Sequence, residues 1–147
     1  MKEKIHAHCL EKVQEKLEML AIADKEAQQS ANNETKSSAG DKYETGRAMM
    51  HLEKERIAMQ AMEWRKLKKV LDQIDPHKTS ETIGLGSLVR LNDLIYYLAI
   101  SLGEVHVEEK AVFTISPVSP IGKLITGKSV GESIHWQGKP LAINEVF

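Results

Sequence analysis

The chain has 147 residues, 41% of them apolar, enough for one ordinary domain or two small ones with a folded core. Its formal net charge is -1 with no long run of one sign, which argues against binding nucleic acid mainly by neutralising phosphates. The single cysteine, Cys9, excludes an internal disulfide, and no apolar run approaches the roughly 18 residues that span a bilayer, so the expectation is a soluble cytoplasmic protein with no membrane partner.

Residues 1–75 contain no proline and only Gly40 and Gly46, whereas residues 76–147 carry all four prolines and the other seven glycines. The first part reads as helix. Leu10, Val13, Leu17, Leu20, Asp24, Ala27 and Ala31 alternate steps of three and four, a heptad seam that is strongly apolar at its start and weak later. A returning seam uses Met50, Lys54, Ile57, Ala61, Trp64, Lys68 and Leu71, with Leu67 and Ile74 beside it. The polar stretch from Asn32 to Gly40 suits a turn. Two helices of this length, about 50 Å each at 1.5 Å per residue, predict an antiparallel coiled-coil hairpin over residues 1–75 with an acidic tip. Such a hairpin reads as a probe or a docking arm.

The acidic tip is Gly40-Asp41-Lys42-Tyr43-Glu44. Asp41 and Glu44 are three residues apart, as in a capping box at the start of the second helix. Carboxylates at the end of a hairpin are also poorly placed to support a core and well placed for delivery to a partner. Spacing alone favours the cap.

Residues 76–147 read as short strands with clear turns. Leu85 to Leu91 and Leu94 to Leu102 flank Asn92-Asp93, Val105 to Glu108 and Ala111 to Ser116 flank Glu109-Lys110, and Ser133 to Trp136 and Leu141 to Val146 flank Gln137-Gly138. Ser119-Pro120 starts a short helix, with serine at the cap and proline at the first helical position, and Gly127 ends it. Five or six antiparallel strands with one short helix predict a small α+β domain with a core of its own.

Two sets of residues together resemble the Gre transcript-cleavage factors of bacterial RNA polymerase. One is the tip, Gly40-Asp41 followed by Glu44. The other is Ser119-Pro120-Ile121-Gly122-Lys123-Leu124-Ile125-Thr126-Gly127-Lys128, continuing through Gly131-Glu132 to Glu145-Val146-Phe147. The similarity covers nearly the whole chain in the same order. It implies a coiled-coil hairpin, residues 1–75, followed by an FKBP-like domain, residues 76–147. It implies that Ser119, Pro120 and Ile121 contribute to docking on RNA polymerase while the hairpin enters the secondary channel. There Asp41 and Glu44 would help hold a Mg²⁺ ion jointly with the polymerase, so that the 3′ end of backtracked RNA is cut. The chain would then be an accessory factor with no small-molecule substrate, and the Mg²⁺ would not be bound stably outside the complex. The tip departs from the family pattern after Glu44, where Thr45-Gly46-Arg47-Ala48 replaces asparagine, alanine, glutamate and tyrosine, and Tyr43 precedes Glu44. That departure leaves open a non-cleaving secondary-channel regulator or inhibitor. An isomerase or chaperone, prompted by the implied fold, would have to use Trp136, Phe113, Tyr96 and Tyr97 as pocket walls.

Other chemistry-bearing groups have plain explanations. His6 and Cys9 share a helical face but make half a tetrahedral metal site, and His8 faces elsewhere. Arg65, Lys66, Lys68 and Lys69 read as a solvated helix face. Gly84-Leu85-Gly86 lacks the following helix that a phosphate loop needs.

Overall fold

The computed structural model describes the backbone of residues 1–35 and 40–147, and the side chains of residues 1–33 and 45–147. The order of elements is α1 (Lys2–Thr35), α2 (Gly40–Asp72), β1 (Leu88–Leu91), β2 (Leu94–Leu98), β3 (Gly103–Val107), β4 (Lys110–Ile115), α3 (Pro120–Ile125), β5 (Ser133–Trp136) and β6 (Lys139–Val146). This is an α+β chain: a long helical region, then a six-stranded sheet with one short helix. Its residues group into two compact units, Glu11–Lys68, and Met1–Leu10 together with Lys69–Phe147. The residues expected to form the turn, 36–39, lie outside those described.

In the unit Glu11–Lys68 the two helices pair antiparallel. Asp24 and Gln28 face Lys54, while Leu17 and Leu20 share a groove with Ala61 and Arg65. Lower numbers on one helix therefore meet higher numbers on the other. The seam is the one periodicity predicts on α1: Val13 and Ala27 are buried, and Leu17, Leu20, Asp24 and Ala31 are half-buried. On α2, Ile57 and Ala61 are buried and Met50, Lys54 and Trp64 half-buried. At the next position the apolar neighbour is preferred. Leu67 is half-buried and Lys68 is exposed. Both spacings fit a helix of 3.6 residues per turn, and the ammonium keeps its water.

The unit that carries the sheet has strand order β3-β4-β2-β1-β6-β5. Each expected pair of strands is present, but the sheet is not wholly antiparallel, because β2 runs parallel to β4, with Ile95 opposite Val112 and Leu98 opposite Ile115. The chain reaches that position by forming β3 first, so the hairpin β3–β4 lies outside β2. Its turn is Glu108-Glu109, one residue earlier than expected, both at positive φ of 52° and 64°. Two consecutive left-handed residues are what a tight two-residue hairpin requires. Gln137 and Gly138 do the same between β5 and β6, at 53° and 77°.

The sheet is apolar on both faces. On one, Val89, Leu91, Tyr96, Leu98 and Ile143 form a core with Ile121 and Ile125 of α3. On the other, Leu88, Ile95, Tyr97 and Val112 are buried. The helix bases cover this second face. His6 meets Tyr97, and Ile74, just past α2, packs on Gly86 with Cγ2 2.9 Å from where a Cβ would stand. The first ten residues thus belong to the sheet's unit by burial, although composition changes only at Pro76.

Candidate functional site

Asp41 and Glu44 fall in the first turns of α2, which starts at Gly40. Residues three apart on a helix share a face, so the backbone places both carboxylate-bearing positions on one side. Their side chains lie outside the described residues. Beyond them α2 is stabilised locally by His51–Glu55, at 3.2 Å, and by Arg56 with Glu53. Lys54 reaches across to Asp24 at 3.8 Å and donates a hydrogen bond to Gln28.

The outward surfaces of the paired helices expose six large apolar side chains among the charged ones. Met19, Ile22, Met49, Leu52, Met59 and Met62 are each 56–69% exposed. At 100° per residue, Leu52, Met59 and Met62 fall on the side of α2 away from Ile57 and Ala61, with Met49 at the flank. Ile22 falls on the side of α1 away from Val13 and Ala27, with Met19 at the flank. The sequence offers Met50, Met59, Met62 and Trp64 as seam or docking residues; Met50 and Trp64 are half-buried, and Met59 and Met62 are exposed.

Ser119, Pro120 and Ile121 sit at the start of α3. Ser119 is its N-cap: the Oγ accepts from the Gly122 N–H at 3.2 Å and donates to the Ser116 carbonyl at 2.6 Å. Pro120 is exposed, but Ile121 is 7% exposed and fills the core. The surface around Pro120 is completed by Val118, 74% exposed, and Leu124, 39% exposed. Gly122 is forced by space. A Cβ there would stand 2.2 Å from the Ser116 carbonyl oxygen and 2.7 Å from the Ser119 Oγ.

His6, Cys9 and Tyr97 are brought together in the buried core on the helix side of the sheet. His6 Nδ1 lies 2.8 Å from the Tyr97 hydroxyl in a buried contact. Burial pushes the Cys9 thiol up to about 11, so it stays protonated at neutral pH and is a poor nucleophile. Burial likewise raises the Tyr97 phenol, with a smaller contribution from Cys9. Among the described residues no three His, Cys, Asp or Glu side chains converge.

The aromatic residues considered for an isomerase pocket are divided between the two faces. Tyr97 is on the helix side. Tyr96 and Phe113 pack on the other face with ring centroids 5.5 Å apart, and Trp136 is packed against the same core. The basic cluster is dispersed: Arg65 borders the groove near Asp24, Lys66 pairs with Glu63 at 3.2 Å, and all four cations are exposed. No helix among the described residues is long and apolar enough to cross a membrane. Comparison of the chain with protein-family models returned no match, and neither did comparison with curated proteins.

Proposed function

We propose that this chain is a Gre-like accessory factor of bacterial RNA polymerase that lends Asp41 and Glu44 to the polymerase active site. The observation that carries the reading is an arrangement. Antiparallel helices of 34 and 33 residues bring two acidic positions, one helical turn apart, to the start of the returning helix. Their outward apolar side chains suit insertion into a partner, because exposed apolar patches usually mark interaction surfaces. The resemblance around Ser119 to Lys128 supports this reading of the family.

The chemistry that a Mg²⁺ ion held jointly with the polymerase supplies is charge stabilisation at a phosphodiester under attack. Two carboxylates suffice as the chain's share, since Mg²⁺ keeps several waters and takes few protein ligands. Asp41 and Glu44 would hold and orient it, α2 would fix their spacing, and the sheet-bearing unit would dock around Pro120. The factor itself has no catalytic activity in this reading.

The test adds the purified chain to stalled, backtracked elongation complexes and follows RNA length. Cleavage should be stimulated, and Asp41→Asn or Glu44→Gln should lower it about tenfold or more while leaving polymerase binding nearly unchanged. If the parent chain never stimulates cleavage but slows elongation in competition with a known secondary-channel ligand, the second reading holds, a non-cleaving channel regulator. That alternative is favoured by Thr45-Gly46-Arg47-Ala48 after Glu44. Failure to bind polymerase at all would overturn both.

A further inference from the structure

We infer that the helix-side face of the sheet carries a binding site for a small amphipathic organic anion, an aliphatic or aromatic carboxylate. A cavity of about 370 Å³ lies between the start of α1, the segment following Pro76, and strands β1, β2 and β4. Small-ligand sites occupy about 300–1,000 Å³ and combine apolar walls with a few convergent polar groups. Here Leu88 and Ile95 form the apolar floor, and both are buried.

The cations are the informative part. Arg90 stands opposite Ile95, Ile95 stands opposite Val112, and Lys110 precedes Val112 by two residues. Side chains alternate along a strand and match across a pair, so all four point to one side of the sheet. Arg90 stands beside the buried Leu88, Ile95 and Val112 of that side and is itself one-third exposed. Glu145 lies directly across from Arg90, with oxygen and nitrogen 3.8 Å apart, beyond hydrogen-bond range. The guanidinium therefore has donors to offer a better-placed carboxylate.

Lys2 closes the inner end. It is 8% exposed, and its ammonium donates to the main-chain oxygens of Lys78 at 2.7 Å and Phe147 at 3.1 Å. It is already engaged, so it contributes field more than contact. Burial holds its pKa below the ordinary lysine value, which is the signature of a charge in a poorly hydrated place. An anion there meets cations from three elements, Arg90 and Lys110 at the more solvated end and Lys2 at the buried one. The carboxylate lining the rim, Glu3, stands 3.4 Å from His77. An alkyl or aryl body would cover Leu88 and Ile95, and the carboxylate would meet Arg90 and Lys110.

This site uses none of Asp41, Glu44 or Pro120 and does not depend on the polymerase reading. The experiment titrates the full ¹⁵N-labelled chain with sodium hexanoate, with 1-hexanol as the uncharged analogue and sodium sulfate as the inorganic anion. Hexanoate should give saturable amide shifts centred on Leu88, Arg90, Ile95 and Lys110, with hexanol and sulfate about tenfold weaker or more. Arg90→Gln should weaken hexanoate about tenfold. Lys110→Gln, at an exposed strand end that does not endanger folding, should weaken it about threefold. No saturable shift by about 10 mM hexanoate would overturn the inference. So would equal binding of hexanol, equal binding of sulfate, or indifference to Lys110→Gln.

Discussion

At the scale of single residues, two positions show how space and solvation dictate identity. Gly122 occupies a point where a Cβ would collide with backbone, 2.2 Å from the Ser116 carbonyl oxygen. Backbone cannot step aside as a flexible side chain can, so Gly122→Ala should cost about 1–3 kcal/mol or more in urea unfolding. It should also loosen the cap at Ser119. His6 is constrained by water. It is 6% exposed, and burial lowers its pKa against a weaker upward pull from Asp72. The folded chain therefore prefers the neutral imidazole, while the unfolded chain titrates near the ordinary 6.5. Below about pH 6.5 the unfolded state binds the extra proton first, so stability falls as pH drops toward the folded pKa. The urea midpoint should decrease between about pH 7.5 and 5.5, and His6→Gln should flatten that decrease. An equal slope in the variant would assign the effect to other groups. Neither role was legible from residue type. The sequence offers His6 as a half-built metal site, and only the approach of Tyr97 from a strand ninety-one positions away shows what the ring does.

At the scale of elements, the helices are held by a narrow seam and the sheet by its turns. Ile57 is 3% exposed and Met59, two residues on, is 69% exposed. Ile57→Ala should cost about 2–5 kcal/mol, whereas Met59→Ala should stay within about 0.5 kcal/mol. If Met59 lies on a docking face, its substitution should instead weaken partner binding. Leu17 is only half-buried, so its truncation should cost less than that of Ile57. In the sheet, Glu109 holds φ at 64°, which glycine adopts without penalty. Glu109→Gly should raise thermal stability by about 1 kcal/mol, while the same change at Glu108 would also remove its ion pair with Lys4. Helix seams were readable because their period is local. The β2–β4 pairing was not, since Leu94–Leu98 and Lys110–Ile115 carry nothing in their composition that states direction. Topology sets it, once β3 has claimed the outer edge.

At the scale of the whole molecule, burial links the chain's two ends in sequence. The fragment 77–147 retains every strand and α3, yet it loses the helix bases that cover Leu88, Ile95, Tyr97 and Val112. It should therefore bind a hydrophobic dye and unfold at lower urea than a chain that also keeps those bases. An equally stable, dye-silent fragment would mean the core beneath α3 suffices alone. Local pattern was sufficient for the α+β class, the two long helices, the turns at Asn92-Asp93 and Gln137-Gly138, and the capped start of α3; it placed the β3–β4 turn one residue late. Each depends on the order and spacing of neighbouring residues, as in Ser119-Pro120 or the heptads around Val13 and Ile57. It also placed Asp41 and Glu44 one turn apart at the start of a helix, which frames the proposed function. Long-range packing was needed for the rest. It set Arg90 and Lys110 on one face beside Lys2, turned Ile121 inward beside exposed Pro120, and joined His6 to Tyr97. These arrangements arise between segments far apart in the chain, where burial, strand register and the exclusion of water select among positions that sequence spacing leaves equivalent.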